Sequence, residues 1–305
     1  MRPRGFSHES PRDKSNHGSR GIRCQASAAV TPSVTERAYY ELIERVATVD
    51  AIGSGARRSL LSLQGVVVGE IEPATLFPES PEPLRYRYAR SNGVAIHRTF
   101  SRAALRARWE LAERDRVLRS WRGEIRPNRI AIDLENTLLR HSTSYDWQAH
   151  HFGRAPFAPE ADVVGVIGFP RNENEPLAMG FAARAGADDA LDAAIAEALQ
   201  SLSFLWGEAV ATTPPTGGPT AMHHLELFQY RPHHEHLRRW LDGGHHRSSA
   251  GAQMTSEVNY VSLSPTWLPR DLVVVKAVCR DALSLAFGDV PFLESPLSPL
   301  SHPIA

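Results

Sequence analysis

Three stretches of the chain combine the apolar periodicity of a helix with two oxygen-bearing side chains three residues apart. Two of them carry the pattern Glu-Leu-x-Glu-Arg, at 41–45 and at 110–114, and the third contains Glu197 and Gln200. Residues three apart share one face of an α-helix, with Cβ atoms about 5–6 Å apart. The spacing therefore predicts three helices, each of which presents a pair of oxygen ligands on one side.

A single pair of this kind is also ordinary on a solvated helix, because Glu favours helices and attracts an Arg four residues later. Like charges at this spacing cost only about 0.2–0.5 kcal/mol, so energy excludes neither alternative. If the three helices met, their carboxylates would form an acidic cage, and Mg2+ is held by carboxylates together with substrate phosphates. Arg45 and Arg114 have the same two alternatives, a Glu partner on the helix or a phosphate contact.

Composition narrows the class of protein. The 305 residues, 42% of them apolar, suffice for one large domain or two smaller ones with a sizeable core. The 34 basic and 34 acidic side chains cancel, so no overall field attracts nucleic acid or an anionic membrane. Two cysteines exclude a disulfide framework and a thiolate zinc site, and a reducing cytoplasm is the expected location.

Familiar targeting and nucleotide signatures are absent from the sequence. No apolar stretch approaches the roughly 20 residues of a membrane span. Residues 1–25 are rich in Arg, Ser and Gly without an apolar core, so they do not form a secretory signal. Neither Gly-x-x-x-x-Gly-Lys nor Gly-x-Gly-x-x-Gly occurs.

The pattern of apolar residues and breakers predicts a domain at 31–290, between a disordered basic arm at 1–30 and a Pro-rich tail at 291–305. The region 212–220 should be a long loop. We expect helices from Ser33 or Thr35 to about Asp50, from Thr99 or Ser101 to about Trp121, and over 188–206, and strands at 64–72, 85–89, 129–134, 162–168 and 272–278. The strand at 162–168 is nearly all apolar and should be central, and the valines at 66–68 should be buried.

Seven histidines crowd residues 223–246. Neither a His-Glu-x-x-His helix nor a cysteine partner accompanies them, so a metal role is not supported. The pairs beside Gly243 and Gly244 predict a surface loop.

The order of these segments resembles that of the YcaO family. The run 91–95, Ser-Asn-Gly-Val-Ala, followed by a helix with Glu-Leu-Ala-Glu-Arg-Asp at 110–115, is similar to the family's central motif. The stretch 41–45 is similar to an earlier Glu-x-x-Glu-Arg motif of the family, and 189–201 to a later Ala- and Leu-rich motif. The resemblance covers about residues 31–305, including the Pro-rich C-terminus.

The resemblance implies an α+β fold in which mixed β-sheets are flanked by helices around an acidic nucleotide cleft. It also implies ATP- and Mg2+-dependent activation of a peptide backbone amide. In such a reaction a nucleophile adds to the carbonyl carbon, the resulting oxygen is phosphorylated, and loss of phosphate leaves an azoline; relatives install thioamides or amidines. The implied partners are a precursor peptide, an E1-like or TfuA-like protein and a second copy of the chain.

The resemblance also implies roles for individual residues. His302 and Pro303 in the tail would position or deprotonate the substrate. Arg114 and Gln200 would contact the cofactor. Mg2+ and the triphosphate would be held by Glu41, Glu44, Glu110, Glu113 and Glu197.

Several positions depart from the family pattern. Where this chain has Arg102 the family commonly has Glu, and that exchange shifts the local charge by about two units, which repels Mg2+ and favours a bare phosphate. A catalytically degenerate scaffold that binds a precursor peptide or partner enzyme is therefore an alternative, as is an unrelated protein whose Glu pairs are only helix faces. The departures are Ala38, Arg98, Arg102, Ala193 and Leu202.

Overall fold

Helices and antiparallel sheets make up the part of the chain that the computed structural model describes, which is residues 34–208, 210–246, 257–295 and 298–304. The predicted arm at 1–30 lies outside these residues. In the described part, no helix is both long and apolar enough to cross a membrane. The helices are α1 (Val34–Ser54), α2 (Pro73–Leu76), α3 (Phe100–Trp121), α4 (Ala187–Leu205), α5 (Ala221–Gln229) and α6 (His234–Leu241).

The strands are β1 (Arg58–Leu61), β2 (Val67–Ile71), β3 (Tyr86–Tyr88), β4 (Val94–His97), β5 (Asn128–Ile130), β6 (Tyr145–His151), β7 (Asp162–Pro170), β8 (Ala178–Arg184), β9 (Asn259–Ser262), β10 (Val273–Val278) and β11 (Ala286–Gly288). They form a five-stranded sheet in the order β2-β1-β9-β10-β4, a four-stranded sheet in the order β5-β6-β7-β8, and the pair β11-β3. Strands β4 and β8 are therefore edge strands, each with one side unpaired by its own sheet.

The five-stranded sheet has a helix on each face. Successive side chains of a strand point to opposite faces, and β4 follows this rule. Ile96 packs with Ile43 and Ala47 of α1, whereas Ala95 packs with the α3 side of the core. Helices α1 and α3 therefore cover opposite faces of this edge strand.

The four-stranded sheet lies between α4 and α3. All nine residues of β7 are buried, which confirms that the segment at 162–168 is central. Helix α4 lies directly on β8, because a Cβ at Gly180 would come within 2.3 Å of the Ala194 carbonyl oxygen. Helix α3 packs against both β8 and β10, so it runs between the two larger sheets.

The α+β fold class is confirmed, and several finer expectations need correction. All strand pairs in the described residues are antiparallel rather than mixed. The valines at 66–68 are 55–62% exposed, because β2 is an edge strand without a covering layer. Gly243 and Gly244 lie in a turn after α6 and His246 is exposed, but the prediction of a surface loop is wrong for His245, which is buried. The histidines before this turn lie in and between α5 and α6, and His224 is buried.

Candidate functional site

Two glutamates from different helices meet at the unpaired side of β4. The Ile96 backbone N–H donates a hydrogen bond of 2.6 Å to the Glu44 carboxylate of α1. The Gly93 N–H, just before β4, donates to Glu110 of α3. An edge strand leaves N–H groups without a partner in its own sheet, and here those groups hold and orient carboxylates. The helical spacing predicted which face of the helix the acids share. It did not predict that backbone N–H groups of an edge strand donate hydrogen bonds to them.

A second pair of glutamates occupies the unpaired side of β8 in the same way. The Ala183 N–H donates to Glu113 of α3, and the Phe181 N–H donates to Glu197 of α4. Since Glu110 and Glu113 lie on one face of α3, this helix joins the two pairs. The four carboxylates therefore line a cleft between two sheet edges, as the convergence of the three helices predicted.

The pKa values of the acids show that the cleft disfavours negative charge. Desolvation, followed by the charge of Glu110, raises the pKa of Glu44 to about 8. Desolvation raises the pKa of Glu110 to about 7 despite the opposing charge of Arg114. Burial, followed by the charge of Glu113, raises the pKa of Glu197 to about 8. The residue as a whole is nevertheless exposed to solvent.

Basic groups lie among these acids without neutralising them. Arg114 is 3.4 Å from the Glu113 carboxylate, and its buried Nε has no hydrogen-bond partner in the described residues. The Lys276 ammonium is buried and donates to the carbonyl oxygens of Asn92 and Arg90. Desolvation lowers the pKa of Lys276 to about 8, against the charge of Glu110.

Sequence reasoning missed Lys276 as a member of the site. Its signal was present, because the residue is one of only two lysines in the chain and interrupts the apolar strand Val-Val-Val-Lys-Ala-Val. A lysine in such a strand is rarely buried without a specific reason.

The other two predicted ligands, Glu41 and Gln200, make no hydrogen bond to a sheet edge that the structure records. Glu41 forms an ion pair of 2.6 Å with Arg45 one turn later on α1, which is the intrahelical alternative for both residues. Gln200 lies on α4 after Glu197 and is partly buried. In the described residues, no three side chains of His, Cys, Asp or Glu are arranged so that they could hold one metal ion. The cleft is therefore acidic without being a preformed cage.

The C-terminal segment is packed into the protein next to this region. His302 is buried, with Nε2 on the Ala286 carbonyl oxygen at 2.7 Å, and its own carbonyl oxygen is 3.0 Å from His224 Nδ1. Burial, followed by the charge of His224, lowers the pKa of His302 to about 3, and the charge of Arg114 contributes. The tail thus reaches the vicinity of Arg114, and Pro303 is buried beside His302.

A protein-family model described as YcaO cyclodehydratase, ATP- and Mg2+-binding, matches residues 71–262, well over half of the chain. The chain belongs to the YcaO family. This confirms the resemblance and the expectation of ATP and Mg2+ as cofactors. The match includes Glu110, Glu113 and Glu197, whereas Glu44 and His302 lie outside it. No curated protein is significantly similar in sequence.

Solved structures share the YcaO fold at low sequence identity. The E. coli microcin synthetase McbBCD complex with pro-MccB17 bound contains a chain with a TM-score of 0.58 and 14% identity, over 84% of this chain and 81% of that one. A heterocyclase in complex with substrate and cofactor gives a TM-score of 0.53 and 16% identity, over 74% of this chain. This YcaO chain matches only 33% of the heterocyclase chain.

The donor set of the cleft fits a divalent cation with phosphates. Burial raises the pKa of all four carboxyl groups, and a bound dication would stabilise their charged forms. The Arg114 Nε, which has no hydrogen-bond partner among the described residues, can donate to a phosphate oxygen. Mg2+ retains water and substrate oxygens and takes only one or two carboxylates at a time. A site with few preformed ligands and several nearby acids matches that requirement.

Proposed function

We propose that this YcaO protein uses ATP and Mg2+ to activate a backbone amide of a precursor peptide. The product would be an azoline formed by cyclodehydration, or a thioamide or amidine formed by related chemistry, in the modification of ribosomally made peptides. The observation that carries the proposal is the convergence of Glu44, Glu110, Glu113 and Glu197 between two sheet edges. The family match supports the nucleotide and metal.

Bound MgATP would supply the phosphoryl group that turns the amide oxygen into a leaving group. The four carboxylates would hold the metal, with Glu41 and Gln200 at its margin. Arg114 would donate from its guanidinium to a phosphate oxygen, since a guanidinium fork matches phosphate geometry. Lys276 would fix the loop before β4 through the Asn92 carbonyl oxygen and so position Glu110.

His302 and Pro303 would both hold the C-terminal tail in place, His302 by hydrogen bonds and Pro303 by its restricted backbone. His302 makes two hydrogen bonds to buried groups and has a pKa far below neutrality, so it is a poor proton acceptor. We propose that it holds the tail beside Arg114 rather than acting as the base. Pro303, which has no N–H to satisfy, would keep the buried tail in one path.

The partners follow from the proposed chemistry. The substrate would be a precursor peptide, and an E1-like or TfuA-like protein could present it. We also propose a homodimer, which light scattering from the same preparation would detect. The McbBCD complex, which contains a bound pro-peptide, supports the idea of peptide and partner proteins through its fold alone.

The proposal is tested by calorimetric titration of the purified chain with ATP and Mg2+. We expect micromolar binding that Glu110→Gln abolishes, because the neutral amide cannot supply a charged metal ligand. Glu235→Gln, at an exposed position of α6, is the matched control and should bind as the parent does. Equal binding by the Glu110 variant and the parent would reject the site.

A second candidate is a scaffold that binds a precursor peptide or partner enzyme without catalysis. Arg98 and Arg102, both exposed near the cleft, favour it because they add positive charge where a family carboxylate is common. The two candidates differ in turnover. Peptide-stimulated release of phosphate from ATP supports the enzyme, and peptide binding without phosphate release supports the scaffold.

A further inference from the structure

Basic side chains gather at the end of the cleft where β4 leads into α3. His97 ends β4, Arg98 follows it, and Arg102 and Arg106 are one turn apart on the first turns of α3. The three arginines are exposed. Within the described ranges, neither Arg98 nor Arg102 has an ion-pair partner. We call these four residues the basic ridge.

The basic ridge continues the acidic cleft along the same helix face. At 3.6 residues per turn, Arg102, Arg106, Glu110 and Glu113 fall within a sector of about 80° around α3. A rise of 1.5 Å per residue places Arg106 about 6 Å and Arg102 about 12 Å along the axis from Glu110. An anion bound through a metal to Glu110 therefore lies next to the ridge.

The surroundings of His97 show that three guanidinium groups lie close together here. Burial lowers the pKa of His97, and the next contributions come from Arg106, Arg102 and Arg98, all of the same sign. Helix α3 also begins without a side-chain cap, since the Thr99 hydroxyl makes no capping hydrogen bond. The first N–H groups of the helix and its positive dipole end therefore lie beside Arg98, which immediately precedes the N-cap residue.

We propose that Arg98 and Arg102 bind phosphate groups of the nucleotide directly, without the metal as intermediary. The inference rests on the proposed function and deepens it by assigning part of the phosphate recognition to this chain's own arginines. Phosphate is the favoured occupant because a guanidinium fork matches it bidentately and because a helix N-terminus accepts anions. In this arrangement the carboxylates bind the metal, and the guanidinium groups of Arg98 and Arg102 bind the phosphates.

The test uses inorganic tripolyphosphate in EDTA, so that neither the adenosine nor a metal contributes to binding. We expect the parent chain to bind it and the double variant Arg98→Gln, Arg102→Gln to bind at least about tenfold more weakly, since the variant loses the charge-assisted hydrogen bonds of both guanidinium groups to phosphate. The double variant Arg126→Gln, Arg129→Gln removes two exposed arginines at or just before β5, the edge of the four-stranded sheet opposite β8, and should bind like the parent. Arg98→Lys, Arg102→Lys keeps the charge and loses the fork, so its affinity should be intermediate.

Two results would overturn the inference. One is tripolyphosphate affinity that is absent in EDTA or equal in the parent and the glutamine variant. The other is displacement of tripolyphosphate by hexaglutamate at lower concentration, which would assign the basic ridge to an acidic peptide. The proposed function is tested separately, by MgATP binding to the parent and to Glu110→Gln, a variant that leaves the basic ridge intact. Equal MgATP binding by these two proteins would reject the proposed function without bearing on tripolyphosphate binding by the ridge.

Discussion

The raised pKa of Glu110 leads to a prediction about stability that Glu110→Gln tests. In the folded chain the pKa rises from 4.5 to about 7. The folded state therefore binds this proton more tightly than the unfolded chain does. Its contribution to stability is fully present below about pH 4.5 and is lost as the pH rises through about 7. At 1.36 kcal/mol per pKa unit, the loss is about 3 kcal/mol.

Glutamine is neutral at every pH and keeps an oxygen for the Gly93 N–H. Without metal, the variant should match the parent near pH 5 and exceed it in unfolding free energy by up to about 3 kcal/mol near pH 8.5. At roughly 2–4 °C per kcal/mol for domains of moderate size, the melting temperatures should separate by about 6–12 °C. Calorimetric scans in EDTA at both pH values measure this difference.

Glu235→Gln, an exposed change on α6, controls for loss of a surface charge and should follow the parent at both pH values. Saturating MgATP should restore the parent near pH 8.5, by about 2.7 kcal/mol at a hundredfold excess over the dissociation constant, and should leave Glu110→Gln unchanged. The reasoning fails if the melting temperatures of the parent and the Glu110 variant run parallel from pH 5 to 8.5.

Three further changes probe the frame around the cleft. Gly180→Ala places a methyl group against the Ala194 carbonyl, so α4 must move from β8, and we expect a loss of about 1–3 kcal/mol in denaturant unfolding together with weaker MgATP binding. Lys276→Met removes the positive charge next to Glu110 and leaves two carbonyl groups unpaired, so MgATP binding should require a higher pH than in the parent. Gln229→Leu removes both hydrogen bonds to the backbone of Leu177 and should cost about 1–3 kcal/mol per unpaired group in urea unfolding, with nucleotide affinity retained.

The helices of the site could be predicted from sequence because their signals are local. Apolar periodicity and breakers gave α1, α3 and α4 to within a few residues of their observed ends. Buried valine-rich strands such as β7 and β10 were also predicted. The glutamate pairs were assigned to shared faces correctly, since residues three apart on a helix always lie together.

Other elements escaped prediction because their stability comes from distant partners. Strand β8 reads Ala-Met-Gly-Phe-Ala-Ala-Arg, which lacks the β-branched residues that mark a strand. Strand β4 has only four residues and follows a Gly turn. The strands β1, β6, β9 and β11 were missed as well. Strands β4 and β8 supply the backbone N–H groups that hold the carboxylates. Because neither strand was predicted, these hydrogen-bond donors were not predicted either.

The histidine-rich region shows the same dependence on tertiary context. A polar composition and two adjacent glycines are typical of a surface loop. In the structure, His224 accepts a hydrogen bond from the Gly288 N–H and contacts the tail, and His245 packs edge-on against Trp121. These partners are far away in sequence, so no local pattern indicates that the rings are buried.

The most direct test of the central claim is a crystal structure with Mn2+ and a non-hydrolysable ATP analogue, recorded with anomalous scattering from the metal. We expect a metal peak between α1, α3 and α4, with the phosphates extending toward Arg114 or the basic ridge. The metal should lie within bonding distance of at least one carboxylate among Glu44, Glu110, Glu113 and Glu197. A metal and nucleotide bound outside the cleft between β4 and β8, with these carboxylates uncontacted, would contradict it.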